Sequence, residues 1–176
     1  ADPPPIERLN AHATGSGHRD LAWIDQALID RKSADARVNP RGREIHVFHS
    51  GDGDPFHRML NAMEPGTYIR PHRHLNPPKD EAVVLLRGAV GVVVFDDRGT
   101  PLPKQQKRLE AGGPVFGVDL RAGVWHTFVA LAPGTVLYEL KPGPYAPFDD
   151  KDFAPWAPDP ESDEARRYLS KLESCF

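Results

Sequence analysis

The chain of 176 residues is long enough for one domain with a buried core, and its 19 prolines and 15 glycines argue against a mainly helical bundle, because both residues interrupt helices. A formal net charge of −3, from 22 Lys and Arg against 25 Asp and Glu, argues against a general binder of nucleic acids or anionic membranes. The single cysteine, Cys175, excludes an intrachain disulfide framework and a thiolate zinc cluster, so a metal site must use His, Asp or Glu.

Two segments near the N-terminus differ in composition. Residues 1–17 are rich in Pro, Gly, Ser and Ala, which indicates a flexible N-terminal arm. An apolar stripe that includes Leu21 and Leu28 then predicts a helix over residues 18–36, and we expect this helix and a connector to occupy residues 18–42.

The middle of the chain, residues 43–141, consists of short apolar runs separated by turn residues. No helical pattern lies between these runs, which argues against a parallel βαβ sheet. Eight runs at this spacing indicate a mainly β fold, as an antiparallel sandwich, barrel or jelly roll. The predicted strands are 44–49, 56–63, 67–72, 82–87, 90–95, 115–120, 124–131 and 135–141.

The C-terminal segment, residues 142–176, is predicted to hold an aromatic strap followed by a helix. Residues 142–158 combine prolines with aromatic side chains such as Tyr145, which favours an extended segment packed on the domain. Asp159 followed by Pro160 is typical of the start of a helix.

The clearest chemical signal is the pair His72 and His74 at the end of a predicted strand. Side chains alternate along a strand, so we expect both imidazoles on one face, where a carboxylate from a neighbouring strand can complete a metal site. Such a mixture of nitrogen and oxygen ligands suits divalent metals. Taken alone, the pair also fits two partly exposed histidines near a loop.

A wider motif around these histidines resembles the first motif of the cupin superfamily. Gly66 is followed after five residues by His72 and His74, and Glu81 is followed after six residues by Gly88. The gap between His74 and Glu81 holds six residues, where the usual motif has three or four.

A second motif, further along the chain, resembles the second cupin motif. Gly123 and His126 keep the spacing of that motif, whereas Arg121 stands in place of its proline and Ala130 in place of its asparagine. The two resemblances imply that His126 is the third histidine ligand and Glu81 the fourth ligand of a metal ion.

Several strings between about residue 39 and residue 158 carry a narrower resemblance, to the WbuC-type cupin-fold metalloproteins. It implies a single cupin domain with a bound divalent metal, and the six-residue gap before Glu81 also matches this family. Some of its members are encoded among bacterial surface-polysaccharide genes. The strings are Asn39-Pro40-Arg41-Gly42-Arg43, His49, Arg58-Met59-Leu60-Asn61-Ala62-Met63, Pro65-Gly66-Thr67-Tyr68, Pro71-His72-Arg73-His74, Lys79-x-Glu81, Glu139-x-Lys141-x-Gly143-Pro144-Tyr145 and Lys151-Asp152-Phe153-Ala154-x-Trp156-Ala157-Pro158.

Four side chains are candidates for substrate binding. Alternation places Tyr68 and Arg70 on the face of His72, where Arg70 could pair with a carboxylate or phosphate, and a rim ion pair is the alternative. Lys79 could pair with an anionic group of the ligand, and the alternative is an exposed loop lysine without a role. Tyr145 could close the pocket, and the alternative is that its ring only packs on the domain.

The candidates for a catalytic group are Glu139, Tyr68 and His49. Glu139 shares a predicted strand face with Leu137 and Lys141, so it could act as acid or base, orient a ligand histidine or belong to an interior charge network. His49 could reach the pocket or serve as a structural histidine.

Together these patterns and resemblances predict a single cupin-type antiparallel β-barrel or jelly roll with an N-terminal and a C-terminal helix, holding one divalent metal ion, either Fe, Mn, Zn or Ni. The protein would bind or act on a small polar, carbohydrate-derived molecule at the barrel mouth, in bacterial surface-polysaccharide metabolism. As an enzyme it would be a metal-dependent isomerase, epimerase or lyase. The alternatives are an iron-dependent dioxygenase, a non-catalytic ligand-sensing module and a closed structural metal site.

The expected partners are a small-molecule ligand and, because cupins often pair, a second copy of the chain. No nucleic acid or membrane is expected. The longest apolar stretch, residues 82–95, is interrupted by Arg87 and is too short to span a bilayer. The first residues show neither a basic start nor an apolar run, and these features together predict a cytoplasmic protein.

Overall fold

Two β-sheets form the protein in a computed structural model that describes residues 6–17, 20–146 and 151–176. The helices in these residues are α1 (Gln26–Val38) and α2 (Asp163–Glu173), with a short 3-10 helix at Pro103–Gln105. The strands are β1 (Ile6–Asn10), β2 (Ala13–Ser16), β3 (Arg43–Val47), β4 (Phe56–Met63), β5 (His72–Arg73), β6 (Glu81–Arg87), β7 (Ala89–Phe95), β8 (Lys107–Glu110), β9 (Gly117–Leu120), β10 (Trp125–Ala130), β11 (Thr135–Pro142) and β12 (Asp152–Phe153).

The larger sheet has seven strands in the order β1-β2-β3-β4-β11-β6-β9, and the smaller has five in the order β12-β5-β10-β7-β8. Neighbouring strands pair antiparallel except β2 and β3, which run parallel. The prediction of a mainly β, antiparallel fold with a helix near each end is therefore confirmed.

The core lies between the two sheets, and strand β6 of the larger sheet alternates buried and more exposed side chains, whereas β7 and β10 of the smaller sheet are buried throughout. On β6, Val83 and Leu85 are buried while Val84 faces outward, as a period of two requires. These side chains pack against Val92 of β7 and Phe128 of β10 in the opposite sheet. This packing brings the inner faces of the sheets together around the site described below.

Some strand predictions differ from the structure. The run predicted at 67–72 overlaps β5 at His72 alone, and Pro71 just before β5 has no N–H with which to continue a ladder. Strands β8 and β12 were not predicted, since β8 is short and mostly exposed and β12 has two residues.

The N-terminal residues form strands where the sequence predicts an arm over 1–17, of which 1–5 lie outside the described residues. Strands β1 and β2 form a hairpin, and β2 joins the larger sheet beside β3. The Thr14 hydroxyl, which is buried, accepts a hydrogen bond from Lys32 Nζ at 2.9 Å and lies 2.9 Å from His46 Nδ1. These contacts to α1 and β3 tie the hairpin to the domain.

Helix α1 begins eight residues later than predicted. Asp25 caps it, because its side chain accepts from the Leu28 amide at 2.9 Å. Leu21 precedes the helix and is 57% exposed, so it belongs to no buried stripe. The first two residues of the predicted helix, 18 and 19, lie outside the described residues.

Helix α2 closes the other end of the domain. Its cap is Ser162, whose hydroxyl accepts from the Ala165 amide, so the cap lies three residues after the predicted Asp159. Leu169 and Leu172 pack into a second apolar cluster with side chains of β7 and β10. No helix in the described part of the chain is long and apolar enough to cross a membrane.

Candidate metal centre

Four side chains selected from the sequence lie together between the two sheets. His72 on β5 and His126 on β10 are paired in register across the smaller sheet, Glu81 begins β6 of the larger sheet, and His74 directly follows β5. All four are buried, and one ligand atom from each lies within 4.8 Å of the others. We call these residues the four-ligand group, and they can hold a metal ion.

The spacing of the donor atoms fits this role. Nε2 of His74 and Nε2 of His126 each lie 3.1 Å from Oε2 of Glu81. Donor atoms bound at about 2.0–2.2 Å to one ion, at angles of about 90–110°, lie about 3–3.5 Å from each other. Three imidazoles and one carboxylate are also a donor set that divalent transition metals accept.

Backbone carbonyls orient two of the imidazoles. Nδ1 of His72 donates to the Arg70 carbonyl at 3.0 Å, and Nδ1 of His126 donates to the Val124 carbonyl at 2.9 Å. A carbonyl oxygen only accepts, so Nδ1 carries a proton and Nε2 of each ring is the nitrogen that faces the site and can bind a metal. These carbonyls take the orienting role for which the sequence offered Glu139, and they hold both rings in the tautomer that binds metal through Nε2.

The protonation states of the group also suit a metal. Burial, followed by the charge of Lys151, holds the pKa of His72 well below its usual range. Burial alone would raise the pKa of Glu81, but the neighbouring His126 and His74 outweigh it and hold that pKa well below its usual range. A neutral imidazole and an ionised carboxylate are the forms that bind metal ions.

The long gap in the first motif does not displace Glu81. Residues 75–80 form a compact turn in which Leu75 and Pro78 pair as an antiparallel bridge. The chain therefore returns toward His74 within six residues, and Glu81 reaches the histidines from the opposite sheet.

A cavity of about 670 Å³ opens beside the four-ligand group, and His72 and Glu81 belong to both. Side chains of β3, β4 and β11 line one wall, and the segment around residues 68–72 lines another. The predicted substrate-binding and catalytic residues that line it are Tyr68, Arg70, Tyr145, His49 and Glu139.

Tyr68 and Arg70 hold the C-terminal strap at the cavity wall. The Tyr68 hydroxyl donates to the Pro158 carbonyl at 3.1 Å, and burial raises the pKa of this phenol. Arg70 Nη2 donates to the Ala154 carbonyl at 3.1 Å, and its guanidinium carbon lies 5.6 Å from the centre of the Phe153 ring. Both side chains thus have structural contacts in addition to their place at the cavity.

Lys79 and His49 differ in their relation to the cavity. Lys79 is buried rather than exposed, its Nζ donates to the Pro144 carbonyl at 2.6 Å, and it is not among the described lining residues. The ring of His49 stacks on His57 with centroids 4.1 Å apart, and burial lowers the pKa of His49. Both histidines line the cavity.

Glu139 projects from β11 into the cavity. Its Oε2 accepts from Asn61 Nδ2 at 2.5 Å, and its Oε1 lies 3.6 Å from Lys141 Nζ. Burial, and then the charge of Glu81, raise the pKa of Glu139. The carboxyl group is therefore held in one orientation in a place that favours its protonated form.

Sequence reasoning assigned no role to three polar residues of this cavity. Lys141 was noted as sharing the strand face of Glu139, and Lys141, Lys151 and Asn61 all stand in the WbuC-type strings, but none of the three was singled out as a site residue. Asn61 meets Glu139 because β4 pairs with β11, a contact between residues 78 positions apart. A local pattern carries no signal for such a pairing.

Comparison with known proteins identifies the fold. The capsular polysaccharide assembling protein CapF gives a TM-score of 0.52 at 21% identity in its complex with 3-isopropenyl-tropolone, over 66% of this chain and 32% of that one. CapF from Staphylococcus aureus gives 0.51 at 18% identity, over 66% and 30%. The chain thus has the cupin fold and spans about a third of the length of CapF.

Other comparisons are less informative. KdgF from Halomonas sp. aligns with a TM-score of 0.47 at 19% identity, over 63% of this chain and 86% of that one. The family model of a domain of unknown function, DUF6016, matches residues 24–107. No curated protein matches the chain.

Proposed function

We propose that this chain is a divalent-metal-dependent cupin that binds and transforms a small polar molecule in the cavity beside the four-ligand group. One observation carries the proposal: His72 and Glu81 are both candidate ligands and cavity-lining residues. A site that opens into a cavity of about 670 Å³ can admit a substrate, whereas a structural metal site is closed by its protein ligands.

His72, His74, Glu81 and His126 would hold one ion, either Fe, Mn, Zn or Ni. When bound, the ion supplies a Lewis acid that polarises a carbonyl or hydroxyl oxygen. Glu139 takes up or releases a proton at its carboxyl group, which faces the same cavity. Asn61 orients that carboxyl group by donating to Oε2, and burial raises the pKa of Glu139 toward the range where proton exchange is efficient.

These parts suit an isomerase, epimerase or lyase acting on a carbohydrate-derived substrate. The WbuC-type strings, from Asn39 to Pro158, support the choice of sugars, as do the polar side chains among the residues that line the cavity. CapF is a capsular polysaccharide assembling protein, so a panel of sugars and sugar acids is the first set of compounds to test.

Elemental analysis of the chain purified without added metal tests the metal site. We expect about one divalent ion per chain in the wild type and less than a tenth of that in the double variant His72→Ala/His74→Ala. His12→Ala is the matched control, because His12 lines the same cavity outside the four-ligand group. Stoichiometric metal in the double variant would overturn the proposed site.

Turnover of the sugar panel by the metal-loaded chain, followed by NMR, tests the reaction. Conversion without oxygen uptake supports an isomerase, epimerase or lyase. Oxygen consumption coupled to substrate loss would replace this proposal with a dioxygenase, and saturable binding without conversion would replace it with a ligand-sensing module.

A further inference from the structure

We propose that Lys141 and Lys151 form a subsite beside the four-ligand group that binds an acidic group of the ligand, a carboxylate or a phosphate. The inference rests on the proposed function and narrows its ligand from any small polar molecule to an anion.

Strand register places Lys141 next to the metal site. Leu140 of β11 pairs with Ala82 of β6, so one step further along Lys141 lies opposite Glu81. Side chains directly opposite on neighbouring strands have Cβ atoms about 4.5–5.5 Å apart. The Lys141 side chain is only 5% exposed, and its Nζ lies 3.6 Å from Glu139. Lys141 is therefore held at the inner end of the cavity.

Lys151 approaches the same point from the strap at the opposite wall. It immediately precedes β12, which pairs with β5 and so lies beside His72. The charges that act on Lys151 include those of Lys141, Glu139 and Glu81, and Lys151 in turn lowers the pKa of His72. Two cations from different segments thus converge on the cavity end that the four-ligand group occupies.

Among the described residues that line the cavity, positive charge exceeds negative charge. The ammonium groups of Lys141 and Lys151 face two carboxylates, Glu81 and Glu139, and the raised pKa of Glu139 reduces the negative charge. A divalent ion held by the four-ligand group would add two positive charges. Arg41, Arg43 and Arg70 add positive charge along the walls, against Asp52 alone among the other described lining residues. This excess is opposite in sign to the net charge of −3 of the whole chain. A ligand with an acidic group compensates it.

The two anchor points define how such a ligand lies. Its acidic group contacts the ammonium groups of Lys141 and Lys151, and its carbonyl or hydroxyl oxygen is directed toward the four-ligand group. Glu139, which lies between Lys141 and Asn61, then faces the carbon atoms that separate the two ends. A neutral sugar lacks the first anchor and is expected to bind weakly.

Calorimetric titration of the metal-loaded chain tests the subsite with three probes: D-glucuronate for a carboxylate, D-glucose 6-phosphate for a phosphate, and D-glucose as the neutral reference. At least one acidic probe is expected to bind 10-fold or more tightly than D-glucose, and the tighter of the two identifies the acidic group. Equal affinity for all three probes, or no binding of either acidic probe, overturns the subsite.

Variants assign the effect to the lysines. Lys151→Met and Lys141→Met remove the charge but keep a side chain of similar length. Each is expected to weaken the affinity for the acidic probe about 10- to 100-fold, whereas Lys141→Arg, which keeps the charge, should lose less affinity than Lys141→Met. Lys171→Met, on the exposed side of α2, is the matched control. Because Lys141 is buried and its variant could unfold, Lys151→Met carries the test by itself, and unchanged affinity in that variant overturns the subsite.

Metal analysis of the same samples separates this inference from the proposed function. If the wild type holds its metal but shows no preference for acidic probes, only the lysine subsite is contradicted. If the wild type holds no metal, the proposed function is contradicted. Binding of acidic probes that still depends on the lysines would then support the subsite alone.

Discussion

The role of a histidine in this protein depends on the atom that each of its ring nitrogens contacts. Nδ1 of His72 and Nδ1 of His126 donate to backbone carbonyls two residues earlier, which leaves Nε2 available to a metal. His46 instead contacts the hydroxyls of Thr14 and Ser16 with its two nitrogens, so it serves the packing of the N-terminal hairpin. Residue type is the same in each case, and the neighbouring atoms set the role.

Glu139 gives a prediction about pH. Because its pKa is raised in the folded chain, the folded state holds this proton more tightly than the unfolded state, whose carboxyl titrates near 4.5. The group therefore destabilises the fold increasingly as the pH rises from about 4.5 through the raised pKa. In the metal-free chain, Glu139→Gln should become more stable than the wild type over this range, as measured by urea unfolding at several pH values.

The exposed Glu161 is the control for that experiment, and Glu161→Gln should follow the wild type at every pH. A stability difference between Glu139→Gln and the wild type that does not change with pH would show that the Glu139 carboxyl titrates normally.

At the scale of elements, the N-terminal hairpin depends on polar contacts rather than on an apolar pattern. Strand β1 is largely exposed, and β2 has the sequence Ala-Thr-Gly-Ser, which resembles a loop. What holds β2 in the sheet is its parallel pairing with β3 and the buried Thr14 hydroxyl shared by Lys32 and His46. Such an element cannot be recognised from its own residues.

Thr14→Val tests this account. The change keeps the shape of the side chain and removes the hydroxyl, so two buried polar groups lose a partner, and we expect a loss of about 1–3 kcal/mol in the free energy of unfolding. Thr14→Ser keeps the hydroxyl and should lose less. If chemical denaturation finds Thr14→Val as stable as the wild type, the hydroxyl does not hold the hairpin.

At the scale of the whole molecule, the four-ligand group joins the two sheets. His72 and His126 belong to the smaller sheet and Glu81 to the larger one, so a metal bound by all of them links both layers of the sandwich. A ligand that binds the folded chain alone stabilises it in proportion to the logarithm of its concentration over its dissociation constant.

Thermal unfolding measures this link. A free metal concentration 100 times the dissociation constant should add about 2.7 kcal/mol, which raises the Tm of a chain of this size by about 5–10 °C. Chelation should reverse the shift, and His72→Ala should show little of it. An equal shift in His72→Ala would place the stabilising metal elsewhere in the chain.

Much of the fold could be predicted because the alternation of apolar residues is local. The predicted strand at 56–63 matches β4, and the runs at 82–87 and 90–95 differ from β6 and β7 by one residue each. Predictions failed where contacts between residues far apart in the sequence determine the secondary structure, as at the N-terminal hairpin, the start of α1 and the edge strand β12.

By itself, the sequence determined the β class, the type of ligand atom and the histidine pair at 72 and 74, because composition and spacing act over a few residues. The cupin resemblance implied Glu81 and His126 as further ligands, and the tertiary structure brings them to the histidine pair. Only the tertiary structure decided that backbone carbonyls orient the rings and that Lys141 and Lys151 converge beside the group. These contacts join strands of different sheets, and their geometry depends on how the sheets pack, which no stretch of sequence specifies alone.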